Sequence, residues 1–102
     1  MATLHTVNKS PFERNALGSC LRLAKKGSTV LLFEDGVIGA MRNTKFDETI
    51  AQAMNDFSFY VLGPDIKARG LSDSNVADGF KVIDYDGFVD LTTEHSTVQS
   101  WL

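Results

Sequence analysis

Thr29-Val-Leu-Leu-Phe33, followed by Glu34-Asp-Gly36, decides the fold of this chain. The segment is apolar on both faces, so both faces must be covered. Such strands belong in parallel sheets with helices on either side. Glu34-Asp35-Gly36 then turns the chain. Working outward, the alternation of strand and helix recurs. Upstream, Leu4 to Val7 is short and β-prone. Ser10, Pro11 and Glu13 have the spacing of a capped helix start. They predict a helix from about Pro11 to Lys26, with Lys25 and Lys26 favouring its C-terminal dipole and Gly27 as a left-handed stop.

Downstream, Val37 to Met41 is a short apolar segment. Phe46, Ile50 and Met54 recur at helical spacing and predict a helix over 45–56, capped by Thr44. Phe57 to Leu62 reads as a strand. Gly63-Pro64-Asp65 breaks it and opens a short helix ending at Gly70. A polar loop, Ser72 to Gly79, leads into a strand at Phe80 to Ile83. Asp84 can cap a helix carrying Tyr85, Phe88, Val89 and Leu91. The tail carries Val98 and Trp101-Leu102, with no element assigned to it. The expectation is an α/β fold, a mostly parallel central sheet with helices on both faces, in a single domain over 1–102. Ligands in such sheets bind beyond the C-terminal ends of the strands. Those ends are Asn8-Lys9, Glu34-Asp35-Gly36, Gly63-Pro64-Asp65 and Asp84-Tyr85.

Composition narrows the function. The chain has 102 residues, 43% hydrophobic and 23% charged, which suits a globular domain. A chain of this size buries about 65% of its unfolded surface, leaving little room for a deep private active site. The N-terminus lacks the basic start and apolar stretch of a signal peptide, and the longest aliphatic run, Val30 to Phe33, cannot span a membrane. These features predict a cytoplasmic protein with no membrane partner. The net charge of −3 argues against direct nucleic-acid binding. The charge is uneven: residues 1–64 carry seven Lys/Arg against six Asp/Glu, residues 65–102 three against seven. The acidic part is either a solvated face or a docking surface for a basic partner.

Metal-ligand spacing is absent, since His5 and His95 are far apart with no Cys/His cluster. Gly36-Val37-Ile38-Gly39 lacks the spacing and lysine of a phosphate loop. No metal and no organic cofactor are expected. Asp35 is not read as a phosphoacceptor, because the end of the first strand offers Val7, Asn8 and Lys9 in place of carboxylates. Trp101 must either pack back or meet a partner.

Cys20 is the single cysteine, so no intrachain disulfide can form. At about 100° per residue it lies mid-arc on the apolar face of the first helix, among Phe12, Ala16, Leu17, Leu21, Leu23 and Ala24. A cysteine there is either a small buried hydrophobe or a thiol facing a subunit groove. Arg22 and Lys25 point elsewhere, so nothing within a turn lowers its pKa.

Four segments, in order over nearly the whole chain, resemble the DsrH/TusB family of sulfur-relay subunits. They are Leu4-His5-Thr6 with Ser10-Pro11; Leu31-Leu32-Phe33-Glu34-Asp35-Gly36-Val37; Asp65-Ile66-Lys67-Ala68-Arg69-Gly70-Leu71; and Ile83-Asp84-Tyr85 with Phe88-Val89-Asp90-Leu91-Thr92. Within the family the resemblance leans to the DsrH branch. It implies a three-layer, DsrE-like α/β sandwich. It also implies assembly with homologous DsrE-like and DsrF-like subunits as a heterohexamer, a dimer of trimers, and sulfur transfer to a DsrC-like acceptor in cytoplasmic sulfur oxidation. It makes Cys20 the candidate auxiliary persulfide carrier, the principal cysteine lying on the DsrE-type partner. A thiolate would attack the outer sulfur of a donor persulfide, forming a new S–S bond while the donor leaves as a thiolate. TusB proteins, which serve tRNA 2-thiouridine formation, need not carry this cysteine, so its presence favours the sulfur-oxidation branch. The alternatives are a TusB-like role and a purely structural subunit with an inert cysteine. Sulfurtransferase activity is expected only within the complex.

Overall fold

Thr29–Leu32 forms the central strand of a five-stranded sheet, with all four residues buried. The computed structural model describes residues 3–101. Among these the strands are β1 (Thr3–Val7), β2 (Thr29–Leu32), β3 (Ser58–Leu62), β4 (Phe80–Ile83) and β5 (Thr97–Trp101). The helices are α1 (Ala16–Leu23), α2 (Asp47–Ala53), α3 (Gly63–Ala68) and α4 (Tyr85–Glu94), with 3-10 helices at Glu34–Ala40 and Asp73–Asn75.

The strand order is β4-β3-β2-β1-β5, and all four pairings are parallel. From β1 to β4 the chain moves steadily one way across the sheet. Right-handed crossovers therefore put α1, Glu34–Ala40, α2 and α3 on one face. The return from β4 to β5 runs the other way and puts α4 on the opposite face. The core divides accordingly. Val7, Val30, Leu32, Phe59 and Val61 pack with Leu17, Cys20, Ile50 and Ile66, while Leu4 and Leu31 pack with Leu91 and Phe88 of α4. The result is a three-layer α/β sandwich with a parallel sheet.

Several local expectations are corrected. The first helix runs over Ala16–Leu23, not from Pro11 to Lys26. Ser10 does cap, but it closes a separate turn: its hydroxyl accepts from Phe12 N at 3.2 Å and its carbonyl from Glu13 N and Arg14 N, each at 3.0 Å. Phe12 is therefore outside the helix and 52% exposed, and Leu23, on the edge of the expected arc, is 66% exposed. Gly27 is left-handed, at φ 91°, but lies beyond the helix end in the turn before β2. The segment after β2 is a buried 3-10 helix, because Gly36 and Gly39 let it press on the sheet; a Cβ at Gly36 would collide with the Val7 carbonyl oxygen. The second helix is shorter than 45–56, spanning Asp47–Ala53. Thr44 Oγ1 caps the turn before it, accepting from Phe46 N at 3.1 Å, while Asp47 accepts from Asn43 N and Thr44 N. Asp84 caps α4 as expected, accepting from Gly87 N at 2.9 Å. The tail forms the edge strand β5, in register with β1 from Thr3↔Thr97 to Val7↔Trp101. Leu102 lies outside the described residues.

Candidate functional site

Cys20 sits on the inner face of α1, where Ala16, Leu17 and Cys20 itself are buried against the sheet. Its side chain has no exposure at all and belongs to the same apolar cluster as Val7, Val30 and Leu32. Arg22 and Lys25 are exposed on other sides of the chain. Burial without a nearby cation disfavours the thiolate and pushes the Cys20 thiol up to about 12. A cleft of about 110 Å³ runs beside α1, lined by Leu17, Leu21, Phe46 and Ile50 among others, and Cys20 is not part of its wall. In this chain alone the thiol is thus packed away from solvent and outside the wall of that cleft.

Three of the four strand ends expected to bear ligands come together, those at Asn8, Glu34-Asp35 and Asp65. Glu34 follows the turn after β2 at φ 49°, a left-handed conformation uncommon for a residue with a Cβ. Its N–H is held by the Asp65 carboxylate at 2.6 Å, and its own carboxylate accepts from Asn8 Nδ2 at 3.3 Å. Arg69, which the reading of strand ends missed, completes the group. Its Nε donates to Asp35 at 2.9 Å and its Nη2 approaches the same oxygen at 2.8 Å. Arg69 lies four residues after Asp65, one helical turn on, and that spacing was the available signal. The network ties the ends of β1 and β2 to α3. It contains no thiol, and among the described residues no cluster of His, Cys, Asp or Glu could hold a metal ion. Asp84 and Tyr85 stand apart from it, beside a wider cleft of about 740 Å³ lined by Gly63, Pro64, Lys67, Val82, Ile83 and Asp84 among others.

The two histidines serve the fold. Trp101 Nε1 donates to His5 Nδ1 at 3.0 Å, which places the His5 proton on Nε2. His5 is buried, and loss of hydration lowers its pKa. His95 ends α4, with its ring nitrogens at 2.7 Å from Leu91 O and 2.9 Å from Thr29 Oγ1. Trp101 therefore packs back onto its own core, half-buried.

Solved structures share this architecture. The ychN protein from E. coli superposes with a TM-score of 0.79, covering 99% of this chain and all of that one, at 16% identity. A protein of unknown function from Methanobacterium thermoautotrophicum gives 0.74 over 97% of each chain, at 14% identity. They define the fold class. The sequence then identifies the family: residues 9–98 match the family model described as DsrH like protein. Relatives named Protein TusB from Yersinia pestis and Yersinia pseudotuberculosis are 38% identical over 99 residues, 96% of this chain and 99% of theirs. The chain belongs to the DsrH/TusB family of sulfur-relay subunits, whose members act within assemblies containing other subunits. Among the described residues no helix is long and apolar enough to cross a membrane.

Proposed function

We propose that this chain is a TusB-type subunit of a cytoplasmic sulfur relay serving tRNA 2-thiouridine formation, working beside TusC- and TusD-type subunits. The observation that carries this reading is the 38% identity to TusB proteins over 96% of the chain. It outweighs the leaning towards the DsrH branch, which rested on the resemblance of the four segments and on the presence of Cys20. Burial of that thiol supports the same choice. In this reading Cys20 is a packing residue, and the cysteine that carries sulfur belongs to a partner subunit. An auxiliary carrier role would require α1 to lift from the sheet before the thiol could meet a persulfide.

The second reading, a DsrEFH-type complex passing sulfur to a DsrC-like acceptor, draws on Cys20, the residue the DsrH resemblance assigns to the relay. One experiment separates the two. The gene is deleted, its product is restored on a plasmid, and tRNA 2-thiouridine is measured by mass spectrometry beside the mass of any DsrC-like acceptor. Loss and restoration of 2-thiouridine is the expected result. Unchanged 2-thiouridine with loss of acceptor persulfide would replace this reading with the second.

A further inference from the structure

The chain contains three Asp-Gly steps, Asp35-Gly36, Asp78-Gly79 and Asp86-Gly87, and no Asn-Gly. Such a step is prone to intramolecular imide closure, because no Cβ on the second residue obstructs the approach of its nitrogen to the aspartate carboxyl. Closure asks two things of a fold. The carboxyl must be free to swing, and the glycine N–H must be free of a hydrogen bond, since the nitrogen attacks only after giving up its proton. All three aspartates are exposed, so the glycine amides decide between them.

At two steps the amide is engaged. Gly36 is buried and its N–H donates to Phe33 O at 2.9 Å, while Asp35 is held by Arg69 at 2.8 Å. Gly87 N donates to Asp84 Oδ1 at 2.9 Å as part of the α4 cap. Asp78-Gly79 differs on each count. It forms an exposed turn in the loop before β4, with Gly79 at φ 98°. Gly79 N donates to no acceptor among the described residues. The Asp78 side chain is fully exposed, and its contact with Arg42 Nη2, at 3.4 Å, is a surface pair that solvent screens.

We propose that Asp78 is a modification site: of the three steps, the native fold leaves only Asp78-Gly79 open to isoaspartate formation. The Gly79 nitrogen bonds to Asp78 Cγ, the carboxyl C–O bond breaks, and water leaves with the nitrogen's proton, giving a cyclic imide. Water then reopens the ring. Attack at the side-chain carbonyl restores aspartate. Attack at the main-chain carbonyl leaves the chain running through the side chain and frees the former main-chain carboxylate. Mass is unchanged, and no oxidant, reductant or cofactor takes part. The product carries an extra methylene in the main chain between Ala77, tied to Ala40 O at 2.7 Å, and Phe80, the first residue of β4. The start of that edge strand must take it up. The inference is independent of the relay role proposed above.

The test holds the full chain warm at neutral pH, native or in denaturant, and samples it over weeks. Isoaspartate is located by peptide fragmentation and counted by methyl transfer from labelled S-adenosylmethionine, using an isoaspartyl carboxyl methyltransferase as the probe. In the native chain, isoaspartate at Asp78 is expected to exceed that at Asp35 and Asp86 by about tenfold or more, because those two amides react only after local opening. In denaturant the three should converge. Asp78→Glu, whose longer side chain closes the ring far less readily, should lose the signal while melting like the unaltered chain. Asp78→Asn closes the same imide with loss of ammonia and should show a gain in intact mass. Gly79 is left unaltered, because Met54 Sδ fills the place a Cβ would take. A native chain without isoaspartate at Asp78, or with as much at Asp35 or Asp86, would overturn the proposal. So would a preference for Asp78 that persists in denaturant, which would assign the selection to local sequence and not to the fold.

Discussion

Replacing Cys20 by serine separates packing from sulfur chemistry. The side chain is fully buried among aliphatic neighbours, including Val7, Leu17 and Val30. Serine there brings a hydroxyl into an apolar layer. Without a partner that costs about 1–3 kcal/mol; a bond back to the carbonyl one turn earlier on α1 would offset part of it. A loss of about 2 kcal/mol corresponds to a fall of roughly 8–16 °C in melting midpoint for a domain of this size. Thermal melts of the isolated chain and of the assembled complex measure it. With the thiol pushed up to about 12 by burial, the thiolate is scarce at pH 7. Native Cys20 should therefore resist alkylation and react fully only after denaturation. The raised value also sets a pH dependence. The unfolded thiol ionises near its ordinary value of 9.0 and the folded one only near 12. Stability is complete below pH 9.0 and falls as pH rises through that window, because ionisation favours the unfolded chain. Cys20→Ala should lack this alkaline component. Sulfur transfer to the acceptor should survive Cys20→Ser at a rate limited by the variant's stability. An unchanged melt with sulfur transfer abolished would refute the packing reading, as would a persulfide on Cys20 by intact-mass analysis of the native complex.

Gly36→Ala should cost about 1–3 kcal/mol by chemical denaturation, because its Cβ meets the rigid Val7 backbone and not a movable side chain. His5 is held neutral by burial and accepts from Trp101, so its stabilising effect is present above its ordinary pKa of 6.5 and is lost as pH falls below it. Trp101 fluorescence should shift on acidification, and an emission independent of pH down to global unfolding would contradict this. Arg69→Ala should cost less than about 1 kcal/mol, because the Asp35 side chain is 52% exposed and its pairing is screened; a larger loss in urea unfolding would show that the strand-end network is cooperative. Expressed alone, the chain should self-associate through exposed apolar residues such as Tyr85 and Val89, read by analytical ultracentrifugation. A stable monomer that ignores the other relay subunits would count against the proposed function.

What the sequence determined by itself was the class of fold, the family and the interior character of the central strand. A stretch such as Thr29 to Phe33, apolar on both faces, has few stable solutions other than a covered parallel strand. Local signals with one short-range meaning also held, such as Asp84 capping α4 and the glycine and proline that open α3. The tertiary structure decided what depended on distant partners. Ser10, Pro11 and Glu13 carry a helix-start pattern, yet the turn they form closes before α1 begins, and only packing on the sheet selects Ala16–Leu23 as the helix. The tail became β5 because the exposed edge of β1 lay open to it, a pairing across more than ninety residues that no local pattern announces. Arg69 reached Asp35 only once α3 had been laid across the strand ends. The helical arc placed Cys20 mid-face, but an apolar arc reads the same whether a sheet or another subunit covers it. The sheet covers it here, and the resulting loss of hydration keeps its thiol protonated.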